Sequence, residues 1–439
     1  MTKLFKPLFS NKAQGTLADT LTYRDQKYGP SVGVRRRYAP RPSDAQKTWR
    51  NIFKSTCADW QALSDSEKQQ YSLDAPSGQS GFQYYLSQNL EAPPPTLSDF
   101  KYHFKLTVDH SLIDSTLTWR PVALPISISA GLTGRDVSFI FDEIGDSFQK
   151  LALFQSDQET RLYVEVEQWV AADYRALLWV SRENWEISPS SGTVFYLAFG
   201  FDSPLDTKYI GTPGNRPEVW DASFGAVYNF AQDPSTENLI DSTDFNNDGA
   251  PSAGFTSGRL VNAEVGLGWQ FLQSTADEVI VPHADNGSLN LADESAIEVF
   301  TYPNDQPTNY PRFLYKDPFK DTYEISFIYN DFALKNANNA YLSLHADDAA
   351  WIAFGFRISV ADDAAVKYVD AVQTGTENGI SAFPVTSGDL RIGRRAGYYT
   401  YEGIIAAIHL SLSSRSAAWV LSGQHALLDQ LITWGPLVS

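Results

Sequence analysis

Beyond Ala92-Pro93-Pro94-Pro95-Thr96, the apolar residues of this 439-residue chain recur at every second position in short runs: Phe104, Leu106, Val108; Leu117, Trp119; Ile126, Ile128; Val137, Phe139, Phe141. A period of two sends successive side chains to opposite faces of a strand, so such runs bury an apolar face by stacking sheet on sheet. Further runs fit strands at 162–169, 175–180, 193–199, 278–281, 296–300, 323–329, 340–344, 351–358 and 401–412. The pattern predicts a mainly β protein with two consecutive antiparallel β-sandwiches, one over residues 100–210 and one over 211–439.

Before the prolines the period is different. Residues 1–42 mix short apolar pieces with Gly and Pro and carry a basic excess that includes Arg35-Arg36-Arg37, which suggests an extended arm with one hairpin near Leu21-Thr22-Tyr23. From Ser43, Trp49, Phe53, Cys57, Trp60 and Leu63 fall three or four apart on one helical face. Ser64 and Glu67 have the spacing of a capping box, so a second helix should run to about Ala75, and a third fits residues 81–90. Residues 43–92 thus read as a small three-helix domain, and 93–99 as a Pro-rich linker stiffened by polyproline II.

Aromatic content of 13% suits half-buried strand faces, and the lone Cys57 excludes an intrachain disulfide. The chain's net charge of −18 combines a basic N-terminal part with a more strongly acidic remainder, which repels nucleic acid and makes it an unexpected partner. Residues 1–20 lack the apolar core of a signal peptide, and no run is long enough to span a bilayer. Synthesis in a cytoplasm is therefore expected.

Trp220-Asp221, Gly225-Ala226-Val227-Tyr228, Asp241-Ser242-Thr243 and Asn247-Asp248-Gly249, with Leu390-Arg391-Ile392-Gly393, Tyr401-Glu402-Gly403-Ile404-Ile405 and a closing Ser414–Trp419 stretch, resemble a concanavalin A-like (laminin G-type) jelly roll. Where that family carries an Asp-Glu pair after Gly-Ile-Ile, Ala406-Ala407 stand here. Trp119-Arg120-Pro121, Val164-Glu165-Val166-Glu167 with Trp169, Trp179-Val180 and the 195–200 stretch resemble a domain of unknown function that precedes such jelly rolls. The N-terminal part, a basic arm followed by helices that carry Trp60 and Leu63-Ser64 and end in Gly81-Phe82 and Tyr85, is similar to small phage-encoded proteins; Trp60, Leu63-Ser64, Glu67-Lys68, Tyr71 and Ala75 are also similar to a short piece of an HMG box.

Chemistry is sparse. Jelly-roll glycanases need two carboxylates facing one cleft; Glu165 and Glu167 could share a strand face but read as a solvated one. The six histidines are dispersed, without the spacing of a zinc site. No enzyme is expected. Asp241, Asp244 and Asp248 could offer oxygen ligands to Ca2+; with Ala406-Ala407 in place of the acidic pair, weak calcium binding or no cofactor is the expectation. Arg394 and Arg395 beside Tyr398, Tyr399 and Tyr401 form a candidate glycan-binding or interface patch, pairing guanidinium donors with flat ring faces.

The resemblances imply a phage virion structural protein, of fibre, spike or decoration type. Such a protein would dock on other virion proteins through residues 1–92, form a homo-oligomer, and display its sandwiches to host-surface polysaccharide. A decoration protein without a ligand and a polysaccharide-degrading enzyme are the alternatives.

Overall fold

The computed structural model describes residues 15–17, 21–24, 31–34, 44–89, 95–200, 208–214, 218–291, 293–304, 311–316, 323–328, 331–335, 341–345, 350–378, 383, 385–394 and 400–439. The chain divides into two compact units, Met1–Pro94 and Pro95–Ser439. Among the described residues no helix is long and apolar enough to cross a membrane.

In the first unit the strands Gly15–Leu17, Leu21–Arg24 and Ser31–Val34 form a three-stranded antiparallel meander, one strand more than the expected hairpin. Helices follow at Asp44–Ala62, Asp65–Asp74 and Gly81–Asn89. The capping box is made in both directions: Ser64 N–H donates to Glu67 Oε2 at 2.8 Å, and Glu67 N–H to Ser64 Oγ at 3.3 Å. Trp60 gathers the helices, its ring 6.0 Å from Tyr71, 5.5 Å from Phe82 and 5.2 Å from Tyr85. Phe53, which the helical spacing placed on the same inward face, is 47% exposed. Arg35-Arg36-Arg37 lie outside the described residues.

The second unit is mainly β, as the alternation predicts. One sheet of its first sandwich runs Ile432–Val438, Tyr102–Val108, Thr193–Phe199, Ala152–Gln155. The facing sheet runs Ile210–Gly211, Tyr163–Val170, Arg175–Ser181, Val122–Ile126. Leu106, Leu124, Val164, Leu178 and Phe195 fill the space between them. Two expectations fail here. Residues 137–141, read as a strand, give the helix Phe139–Ile144, because Ile140, Phe141 and Ile144 also satisfy a helical period and it is that face which is buried. The linker is shorter than expected: Leu97 is buried and its N–H donates to Gln158 O at 3.1 Å, so residues 97–99 belong to the sandwich.

The second sandwich has an eight-stranded sheet centred on Glu294–Pro303 and Gly403–Ser411, facing a seven-stranded sheet that runs from Ala250–Pro251 to Tyr341–His345. Phe271, Phe313, Phe354 and Tyr401 lie fully buried between them. Its closing helix, Ala417–Leu427, starts at Ser416, whose Oγ accepts from Trp419 N–H at 3.1 Å.

The two sandwiches are not consecutive. The final strand, Ile432–Val438, leaves the second sandwich and pairs antiparallel with Tyr102–Val108 of the first, Ile432 opposite Val108 and Trp434 opposite Leu106. Trp434 meets the Phe104 ring at 5.5 Å. Gly131, at φ +67°, lets the neighbouring turn close over this strand, since a Cβ there would lie 2.3 Å from Ile432 O. The second sandwich is thus inserted into the first, anchored at both ends. One apolar core joins them: Trp220, Phe224, Phe300 and Trp419 cluster with Val122, Leu178 and Trp179. Ala406 and Ala407 belong to that core, where an Asp-Glu pair would bury unpaired charge.

Candidate functional site

The predicted tyrosine and arginine patch is only partly described, and one member of it is not at the surface. Tyr401 is fully buried, with its hydroxyl 2.8 Å from Thr301 Oγ1 and its ring 5.1 Å from Phe313. Burial pushes its phenol well up. Its alternation with the strand that follows turns it inward, so it is a core residue and not a glycan contact. Arg394 is half-buried and donates to Ala276 O at 3.3 Å. Arg395, Tyr398 and Tyr399 lie outside the described residues.

The acidic turn at 241–249 works as a cap. Asp241 Oδ1 accepts from the N–H groups of Val227 and Thr243, both at 2.9 Å. Its Oδ2 accepts from Thr243 Oγ1 at 2.8 Å and Asn247 N–H at 2.9 Å. A carboxylate with four such donors has no lone pair left for a cation, which corrects its place among the candidate ligands. Asp248 Oδ1 accepts from Asp241 N–H at 2.9 Å, while Asp244 is exposed. Among the described residues no group of three His, Cys, Asp or Glu is placed to share a metal ion.

Glu165 and Glu167 are buried, not solvated, because both faces of their strand are covered. Glu165 is held by the second sandwich: Ser242 Oγ at 2.8 Å and Asn229 Nδ2 at 3.1 Å donate to its Oε1, and Trp220 Nε1 donates to its Oε2 at 3.1 Å. Asn229 Oδ1 then faces His409 Nε2 at 3.1 Å. With the amide nitrogen turned to a carboxylate, the amide oxygen accepts the imidazole N–H. Burial, with Arg120 nearby, holds His409 down at about 3, so it stays neutral. Glu167 accepts from Trp179 Nε1 at 2.7 Å, and burial raises its carboxyl well above the usual range. These groups seal the seam between the sandwiches and are not set in a cleft for acid–base work.

Beside this seam lies an open groove of about 270 Å3. It brings together Trp119 and Trp220-Asp221, which the sequence had marked only as fold signatures, and the 242–245 part of the acidic turn, where Asp244 was a candidate calcium ligand. Trp119 and Phe245 are half-buried, so their rings are partly open, whereas Trp220 and Phe224 are buried. Asp221 is neutralised by Arg415, whose Nη1 and Nη2 each donate to it at 2.9 Å. Glu218 and Asp244 are exposed along the same lining.

No family model and no curated protein sequence matches the chain. Among solved structures it is similar to domain 4 of AbnA, an extracellular arabinanase of Geobacillus stearothermophilus in complex with arabinotriose, at 14% identity over 46% of this chain and 98% of that one, with a TM-score of 0.36. It is also similar to the botulinum neurotoxin serotype D ligand-binding domain in complex with N-acetylneuraminic acid, at 10% identity over 46% and 50%, TM-score 0.36. The binding domain of Paraclostridial Mosquitocidal Protein 1 gives 9% identity over 46% and 52%, TM-score 0.38. The match spans about half the length of the two toxin domains. Overlap at this level transfers neither topology nor ligand.

Proposed function

We propose that this chain is a virion structural protein of fibre, spike or decoration type, which docks through residues 1–92 and presents Pro95–Ser439 as one rigid body for binding host-surface glycan. The observation that carries it is the nested topology. A second sandwich inserted into the first, sharing its core, resists the hinge motion expected of two domains on a linker. Rigidity of this kind suits a displayed module, which gains affinity by avoiding ordering costs on contact. The virion assignment rests on the resemblance of the N-terminal part to phage-encoded proteins, and other virion proteins and further copies of the chain are the partners proposed for it. No catalytic role is proposed, because Glu165 and Glu167, the carboxylate pair best placed by sequence, are committed inside the seam.

Two measurements test this. Protein lacking residues 1–94 should fold yet fail to join particles when supplied during assembly; incorporation at normal levels would overturn the docking role. The same protein should be retained on an array of host-surface polysaccharide fragments, and the absence of any retention would leave a decoration protein without a ligand.

A further inference from the structure

The open groove beside the seam has a chemical character of its own. Its described lining holds three carboxylates, Glu218, Asp221 and Asp244, and no Lys or Arg. With Asp221 neutralised by Arg415, the remaining charge is negative and exposed. Apolar and flat surface comes from Trp119 and Phe245. This pairing of an aromatic wall with hydrogen-bond acceptors matches a sugar ring, whose C–H face is apolar and whose hydroxyls donate. It repels an anion.

Trp119 adds a second, independent observation. Its backbone sits at φ +55°, a region that bulky side chains rarely adopt, and its indole N–H is buried without a hydrogen-bond partner. Backbone strain and an unsatisfied side-chain donor meet in one residue, and that residue lines the groove. Such departures from the best-folded arrangement concentrate where a surface is shaped for a ligand rather than for stability.

We propose that this groove is a saccharide subsite selective for neutral sugars: one ring seats against Trp119 and Phe245, and its hydroxyls donate to Asp244 and Glu218. Sialylated and uronate-bearing glycans are refused by the acidic rim. The proposal rests on the glycan-binding reading above for its ligand class, and the site itself rests on the groove. At about 270 Å3 its volume lies just below the range of about 300–1,000 Å3 for small-molecule sites and suits a single terminal ring.

The test uses the full chain and an array of two kinds of probe: oligosaccharides ending in glucose, galactose, mannose or N-acetylglucosamine, and their sialylated and glucuronate-ending counterparts. The neutral probe retained most strongly is then titrated calorimetrically against the wild type, Asp244→Ala, Phe245→Ala and Trp119→Ala. Asp244 is exposed and Phe245 half-buried, so those two variants keep the test open if Trp119→Ala fails to fold. Retention of neutral probes is expected, with affinity lower by at least about tenfold in Asp244→Ala and Phe245→Ala at unchanged melting temperature. Neutral-probe binding that neither substitution alters would overturn the groove while leaving glycan binding standing. Retention of acidic probes alone would overturn the selectivity, and retention of none would overturn the glycan reading together with this site.

Discussion

Arg120 of the first sandwich donates from its guanidinium to the Glu298 carboxylate of the second at 2.9 and 3.3 Å, and both side chains are almost wholly buried. The guanidinium also lies 4.8 Å from the Trp419 ring centroid. A buried ion pair adds little over a well-packed apolar pair, but removing one partner strands the other charge in a dry interior. Arg120→Met should therefore lower unfolding free energy by about 3–5 kcal/mol. The double substitution Arg120→Met with Glu298→Leu should recover most of that loss. Urea denaturation of the four proteins in a cycle checks this, and additive losses would show that the pair does not couple the sandwiches.

His409 supplies a pH dependence with a defined sign. Its folded value lies at about 3 against the usual 6.5, so between those values the unfolded chain binds a proton that the folded chain refuses. Stability contributed by His409 is present above pH 6.5 and is lost as pH falls toward 3, by up to about 5 kcal/mol. His409→Gln keeps a donor for Asn229 and removes the titration. The stability difference between wild type and this variant should shift against the wild type on acidification; a difference independent of pH would contradict the buried neutral imidazole.

Asp429 acts in the opposite direction. It sits at φ +53° just before the final strand and accepts from Gly131 N–H at 2.8 Å; burial raises its carboxyl from 3.8 to about 6. The folded state therefore holds a proton between those values that the unfolded state has lost, and Asp429 is destabilising above pH 6. Asparagine tolerates the same backbone conformation and keeps an acceptor for Gly131. Asp429→Asn should stabilise the protein at pH 7 by about 1–2 kcal/mol, an advantage that fades as pH falls toward 4. Thermal unfolding across that range measures it, and a variant less stable than wild type at pH 7 would show that the charged form is preferred.

Much of the fold was readable because its signals are local. Ser64 and Glu67 mark a helix start wherever they fall three apart, and runs such as Phe104, Leu106 and Val108 name a strand and its buried face. Partner choice is not local. Residues 432–438 were not among the strands expected from the sequence, and only the tertiary structure shows that Ile432–Val438 pairs with Tyr102–Val108 rather than with its nearer neighbours. The same gap misled the reading of Glu165 and Glu167: alternation locates one covered face, and here insertion of the second sandwich covers the other. Trp119 and Phe245 were individually visible as an aromatic in a motif and an aromatic in a turn. Nothing in their spacing brings them to one groove, because the juxtaposition depends on the docking of the sandwiches.

Pro95–Ser439 forms one compact unit in which one sandwich is nested in the other, an arrangement that should unfold as a single cooperative body. Differential scanning calorimetry of that segment tests it most directly. One transition is predicted, with calorimetric and van't Hoff enthalpies in agreement, and deletion of residues 430–439 should lower its midpoint throughout rather than unmask an intact second sandwich. Two resolved transitions in the intact segment, with only the first shifted by the deletion, would contradict it.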